Sequence, residues 1–201
     1  MACRERRGGA SRTVEPASIS RPTSSAALAA RVGASSGLAE ATDIFNRAQI
    51  KSLAEIVKSH RSESDAIGIL GLTYKPDTDV VEESFGLLLA QELSSANLPV
   101  IVYDPSADAG RALNNYKSIR VASSAQECIA ESRVVVLATP WQEFRDLRAA
   151  LWVRPGYSEP RVVIDCWRAL GHLEGIDGLH YVKLGFGGAA EKPVSVGSSA
   201  D

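Results

Sequence analysis

Two cations in this 201-residue sequence stand where a phosphorylated ligand could be bound. Lys75 follows closely on one short apolar run, and Arg168 follows another. Ser84 lies where a helix is expected to begin, and the first backbone amides of a helix bind anions. Cations bind phosphate, and the ring of Tyr74 offers a face for a base or a sugar. These residue types therefore predict a ligand that contains phosphate.

A structural alternative stays open for both cations. Lys75 is close in sequence to Asp77 and Asp79. Arg168 is close to Asp165. Each cation could therefore form an ion pair that only supports the fold, and position along the chain does not choose between the two interpretations.

The spacing of apolar residues predicts the elements that must position these side chains. Short apolar runs alternate with segments of helical periodicity, which predicts an α/β fold with a Rossmann-like, doubly wound and mostly parallel sheet. In such a sheet, ligands bind outside the carboxyl ends of the strands. We expect strands at 67–72, 100–103, 119–122, 134–137, 162–165 and 180–184. We expect helices at 84–96, 107–114, 124–131 and 141–151.

One long helix is expected before the sheet. Apolar residues recur at steps of three and four, which predicts an amphipathic connecting helix over residues 38–60. Residues 1–37 and 189–201 lack sustained periodicity and contain many Gly, Ser and Pro residues, so we interpret them as a disordered leader and tail. The folded ligand-binding domain is expected at 66–188.

Composition argues against several classes of function. The formal net charge is -2, so neither a nucleic acid nor a membrane surface is the expected partner. No apolar run approaches the roughly 20 residues that a membrane span needs. Cys3, Cys128 and Cys166 lack the spacing of metal ligands or redox pairs. We therefore expect reduced thiols, no metal site and a cytoplasmic protein.

The glycine pattern argues against a dinucleotide bound in the usual mode. The first strand runs into Gly68 and Gly71, but no Gly-x-Gly-x-x-Gly motif lies between this strand and a helix. The loop from Thr73 to Glu83 is also too long for the tight turn that places a pyrophosphate on a helix. We therefore expect this chain to bind no NAD, and no residue is assigned to a cofactor.

Four segments, in order, resemble the UDP-binding domain of the UDP-glucose/GDP-mannose dehydrogenase family. Residues 71–84 read GLTYKPDTDVVEES, which is similar to the family pattern Gly-Leu-x-Phe/Tyr-Lys-Pro-x-Thr-Asp followed by Glu-Ser at a helix start. The other segments are VYDPSA at 102–107, ATPWQEF at 138–144 and VIDCWR at 163–168. The helix at 38–60 resembles the one that joins the family's middle domain to this domain.

The resemblance implies a substrate and a set of binding residues. Family members oxidise the primary alcohol of a nucleotide-linked sugar to a carboxylate, with two hydride transfers to NAD. Their N-terminal domain holds NAD, their middle domain carries a catalytic cysteine, and their C-terminal domain closes over the nucleotide diphosphate. By resemblance, Tyr74, Lys75 and Arg168 bind the substrate, and Glu83 and Ser84 place a helix N-terminus near the ligand.

The same resemblance implies that this chain lacks the NAD-binding and catalytic domains, so we predict that it is inactive alone. Cys166 has no Gly-Gly before it, and no catalytic residue is assigned. The expected partners are a UDP-sugar and the missing domains, with self-association through the apolar stripe of residues 38–60 around Phe45. A free-standing UDP-sugar-binding or regulatory module and a remnant without function stay as alternatives.

Two places depart from the family pattern. Val80, Val81 and Glu82 stand where many members have an Asp, an apolar residue and an Arg. Glu82 therefore reverses a charge near the phosphate edge, which is compatible with a different sugar or nucleotide. Trp167-Arg168 stands where Arg-Asn or Arg-Arg is common.

Overall fold

A computed structural model describes residues 31–33, 35–106, 113 and 116–185 of the chain. The chain divides into two units, Met1–Asn46 and Arg47–Asp201. All strands of the sheet belong to the second unit. The predicted helix at 107–114, apart from Leu113, lies outside the described residues, as do the predicted tail and most of the predicted leader.

Short strands and helices alternate along the described chain. In order they are α1 (Gly37–Ser59), β1 (Ile67–Leu70), α2 (Phe85–Ser95), β2 (Val100–Tyr103), β3 (Ile119–Val121), α3 (Ala125–Ala130), β4 (Val134–Leu137), α4 (Gln142–Arg145), β5 (Arg161–Asp165) and β6 (Leu179–Lys183). Single turns of 3-10 helix lie at Ala149–Leu151 and Gly171–Leu173.

The strands form one six-stranded sheet in the order β3-β2-β1-β4-β5-β6, and every neighbouring pair is parallel. This confirms the predicted α/β, Rossmann-like, doubly wound sheet preceded by one long helix. The chain winds outward in both directions from β1 and β4, so the point where the strand order reverses lies between these two strands. All carboxyl ends face the same edge, which is where a ligand is expected.

Apolar side chains cover the sheet on both faces, as the continuous apolar runs predicted. One face packs against residues of α1 and α2, among them Leu53, Val57, Leu89 and Leu93. The other face packs against Cys128 and Ile129 of α3, Phe144 of α4, and Trp152. The four central strands β1, β2, β4 and β5 are therefore buried, whereas the edge strands β3 and β6 are half-buried or exposed.

The predicted helix at 141–151 is wrong, because α4 ends after one turn and a 3-10 turn follows at Ala149–Leu151. Phe144, Leu147 and Trp152 are all buried in the same apolar cluster. On one continuous helix, Leu147 and Trp152 would point about 140° apart. The break lets all three side chains reach the sheet.

The end of β1 and the start of α2 meet backbone to backbone. A Cβ atom on Gly86 would lie 2.0 Å from the carbonyl oxygen of Gly71. A Cβ on Gly71 would lie 2.4 Å from the Cβ of Thr139, and Gly71 has a left-handed φ of 96°. Glycine is therefore required at both positions, since no side chain fits between these elements.

We expect Gly86→Ala to lower the free energy of unfolding by about 2 to 3 kcal/mol, because its methyl group would push α2 away from β1. Denaturant unfolding measures this change. Gly171→Ala is the matched control, since a Cβ there has no atom within 4 Å, and we expect a change within about 0.5 kcal/mol. Equal stability of Gly86→Ala and the unsubstituted protein would contradict the close approach.

Candidate functional site

The loop after β1 is fixed at Thr73, whose polar atoms are all engaged. Its amide and its hydroxyl donate to Oδ2 of Asp104, at 3.0 and 3.1 Å. Its carbonyl accepts the hydroxyl of Thr139 at 2.7 Å. Thr73 is also 1% exposed. The backbone that leads into Tyr74 and Lys75 is therefore held by the residues that follow β2 and β4.

Asp104 is the centre of this arrangement. Besides Thr73, its Oδ2 accepts the amide of Leu72 at 2.6 Å and Nε1 of Trp141 at 3.3 Å. Its Oδ1 accepts the amide of Ser106 at 2.8 Å. An acid at this place in a dinucleotide-binding fold holds a ribose hydroxyl, whereas here both oxygens face the protein. This role was not predicted from the sequence, although an acid directly after the second strand was a usable signal.

Tyr74 and Lys75 lie at the start of the exposed part of the loop. Tyr74 is 65% exposed, and its amide donates to the carbonyl of Val80 at 2.7 Å. Lys75 is exposed and forms no ion pair with any residue in the described parts of the chain. The alternative in which Asp77 or Asp79 neutralises Lys75 is therefore wrong.

Ser84 caps α2, as predicted. Its hydroxyl accepts the amide of Leu87 at 3.2 Å and donates to the carbonyl of Leu72 at 2.5 Å. Ser84 is fully buried, so it contributes to the edge through the position of the helix rather than through a free hydroxyl. The neighbouring Glu83 is exposed and has a left-handed φ of 55°.

Arg168 lies on a turn that a second buried carboxylate organises. Asp165, at the end of β5, accepts the amide of Trp167 at 2.9 Å, the amide of Leu170 at 2.7 Å and the hydroxyl of Tyr181 at 2.6 Å. These two amides flank Arg168, which has a left-handed φ of 56°. Burial and the Asp165 carboxylate raise the pKa of Tyr181, so this hydroxyl stays a donor at neutral pH.

The guanidinium of Arg168 lies close to the end of β6. Its Nε and one terminal nitrogen contact the carbonyl oxygen of Leu184 at 3.4 and 3.5 Å. The three donors to Asp165 already account for the orientation of its carboxylate. An ion pair with Arg168 is not needed to explain that orientation. Arg168 is exposed, as a ligand-binding cation must be.

An apolar groove of about 510 Å³ adjoins this turn. It is lined by α1, the first residue of α2 and the chain after β5 and β6: Gln49, Ser52, Leu53, Ile56, Phe85, Cys166, Trp167, Leu184 and Gly185. The indole of Trp167 is 54% exposed and fixed by a 2.7 Å hydrogen bond from Nε1 to the carbonyl of Ala138. Tyr74 and Lys75 do not line the groove, because β4 separates the end of β1 from the end of β5. Two strand spacings amount to about 10 Å.

The two described thiols are poor nucleophiles. Cys128 is buried in the core, and burial raises its pKa to about 12. Burial and the neighbouring Asp165 raise the pKa of Cys166 to about 12 as well. A thiol must ionise to attack, so neither residue suits a catalytic role. The described residues hold no group of three or more metal-ligating side chains. Nor do they include a helix long and apolar enough to cross a membrane.

We expect Cys166 to react with iodoacetamide about a thousandfold more slowly than an ordinary thiol at pH 7, because its raised pKa leaves less thiolate. The rate should rise about tenfold per pH unit from 7 to 9. Mass spectrometry of the labelled peptide measures this rate. The same cysteine in the urea-unfolded chain is the control, and equal rates in both states would contradict the assignment.

Comparisons with known proteins find similarity to one family of dehydrogenases. Residues 68–172 match the model of the UDP-glucose/GDP-mannose dehydrogenase family, UDP binding domain. The UDP-glucose 6-dehydrogenase AglM of Haloferax volcanii is 35% identical over 111 residues, which cover 55% of this chain and 25% of that enzyme. The UDP-glucose 6-dehydrogenase of Rhizobium meliloti is 36% identical over 81 residues, or 40% of this chain and 18% of the enzyme. The chain thus spans a quarter or less of the length of these relatives.

Two solved structures share the fold. A UDP-glucose dehydrogenase from Pyrobaculum islandicum superposes with a TM-score of 0.55 at 24% identity, over 69% of this chain and 31% of that one. A GDP-mannose dehydrogenase from Pseudomonas aeruginosa superposes with a TM-score of 0.54 at 20% identity, over 77% of this chain and 36% of that one.

Proposed function

Because this chain belongs to the UDP-glucose/GDP-mannose dehydrogenase family through its UDP binding domain, we propose that it binds the nucleotide diphosphate of a UDP-sugar at the carboxyl edge of its sheet. The observation that carries the proposal is Lys75, an exposed cation without an ion pair among the described residues, on a loop whose backbone is fixed.

We assign the diphosphate to Lys75 and to the amino end of α2. A helix N-terminus and a lysine both favour a phosphate group. Tyr74 follows β1, Trp167 follows β5 and both are exposed, and aromatic faces stack on a base or a sugar ring. Arg168 supplies a second cation about two strand spacings, or roughly 10 Å, from β1. The site therefore suits an extended ligand with a charged centre and flat or apolar ends.

At the level of the whole protein, we propose that this domain serves a UDP-sugar 6-dehydrogenase, which oxidises a UDP-sugar to the uronic acid with NAD. We propose that NAD binds elsewhere than at these described residues. Thr139 contacts Gly71 where the strand order reverses, and both oxygens of Asp104 are used inside the protein. NAD and the nucleophilic cysteine would therefore belong to other domains, and we expect this chain alone to be inactive.

We expect Lys75→Ala to raise the Kd for UDP-glucose at least about tenfold, because it removes a charge-assisted contact to phosphate. Isothermal titration calorimetry measures this change. Lys117→Ala is the matched control, since Lys117 is also exposed but precedes β3 at the opposite edge of the sheet. An unchanged Kd in Lys75→Ala would remove Lys75 from the site. Binding of NAD without binding of a UDP-sugar would contradict the proposed function.

We also propose that the chain self-associates through the helix predicted at residues 38–60. Ile44 and Phe45 are 70% and 62% exposed on α1, and exposed apolar side chains favour association. Phe45→Glu should shift the sedimentation profile from dimer towards monomer. Tyr157→Glu, which changes another side chain that is 65% exposed, should leave the profile unchanged. A monomeric profile for the unsubstituted chain would refute self-association.

A further inference from the structure

The loop that carries Lys75 is bonded to Asp104 directly before the lysine and through Ser106 after it. Before Lys75, the amides of Leu72 and Thr73 donate to Oδ2 of Asp104 at 2.6 and 3.0 Å. After Lys75, the hydroxyl of Ser106 donates to Oδ1 of Asp79 at 2.7 Å. The amide of Ser106 in turn donates to Oδ1 of Asp104 at 2.8 Å.

Asp104 is suited to hold backbone rather than ligand. It is 9% exposed, whereas Lys75 is exposed. Each oxygen already accepts at least one amide, and Nε1 of Trp141 contributes a further donor at 3.3 Å. Hydrogen bonds from amides to a carboxylate are stronger than those between neutral groups. An amide side chain of the same shape would turn an NH2 group towards one set of these donors, so only a carboxylate satisfies both.

We propose that Asp104 is a positioning residue for Lys75: one oxygen holds the backbone before the lysine, the other holds Ser106, which bonds to Asp79 after it, and together these contacts clamp the loop and place the lysine ammonium at the phosphate edge. This inference rests on the proposed function, because the proposed function supplies the ligand that Lys75 would bind. In dinucleotide-binding folds, an acid after the second strand contacts a ribose. Here the acid after β2 instead shapes the loop that carries Lys75.

A double-mutant cycle tests the clamp. UDP is titrated by calorimetry into the unsubstituted chain, Asp104→Asn, Lys75→Ala and the double variant. We expect Asp104→Asn to raise the Kd about tenfold when Lys75 is present and to have no further effect when it is absent. The same factor in both backgrounds would show a general loosening of the fold and overturn the inference.

Two further variants separate positioning from stability. Val163→Ala removes a fully buried core side chain from β5, so it lowers the melting temperature without touching the loop, and the Kd for UDP should not change. Ser106→Ala releases only the attachment at Asp79, so its effect on the Kd should be smaller than that of Asp104→Asn. Weakened binding in Val163→Ala to the same extent as in Asp104→Asn would also overturn the inference.

A second measurement keeps this inference distinct from the proposed function. If the unsubstituted chain fails to bind UDP, the proposed function is wrong. Hydrogen exchange of the free protein then still tests whether Asp104 holds the loop. Hydrogen exchange should be at least about tenfold faster at the amides of Leu72 and Thr73 in Asp104→Ala, because this variant removes the carboxylate that accepts both amides. The amide of Leu87, which Ser84 holds, should exchange unchanged. Unchanged exchange at Leu72 and Thr73 would refute the clamp itself.

Discussion

The close backbone approach of Gly71 and Gly86 sets the geometry of the carboxyl edge. With no side chain between them, α2 begins directly against the end of β1, and the chain that joins the two must pass outward into solvent. Lys75 lies on that outward path. The same approach leaves Thr139 in contact with Gly71, at the point where the strand order reverses. The backbone contact thus directs the loop that carries Lys75 away from the sheet.

At this edge of the sheet, two carboxylates are buried and two cations are exposed. Asp104 directly follows β2 and Asp165 ends β5, and each carboxylate is satisfied by hydrogen-bond donors of the protein. The cations Lys75 and Arg168 stand on the loops and turns that these carboxylates hold, and both are exposed. Buried anions therefore order the backbone, while the cations are exposed at the surface.

Local patterns predicted most of the elements but not the contacts between them. Strand positions followed from short apolar runs, and Ser84 was recognisable as an N-cap, because both signals lie within a few residues. Helix α4 was predicted too long, since burial of Trp152 depends on the sheet rather than on local periodicity. The start of β5 was missed by one residue, because Arg161 is charged and yet only 2% exposed.

The candidate site was predicted in part for a similar reason. Lys75 and Arg168 stood out as cations after strands, whereas the clamp by Asp104 joins residues far apart in sequence. A hydrogen bond of this kind leaves no periodic trace in a sequence. The resemblance to a family supplied the ligand class, and the structure supplied the contacts that hold the loop.

The long sequence separation of these contacts also has a kinetic consequence. Asp104 lies 31 residues after Thr73, and Thr139 lies 66 residues after Thr73. The loop can take its native shape only after β2 and β4 have both paired with β1, and such non-local pairings form slowly. During synthesis on the ribosome, β4 must therefore emerge before Lys75 can be held in place. We therefore expect the loop that carries Lys75 to take its fixed shape late in the folding of this chain, after most of the sheet has formed.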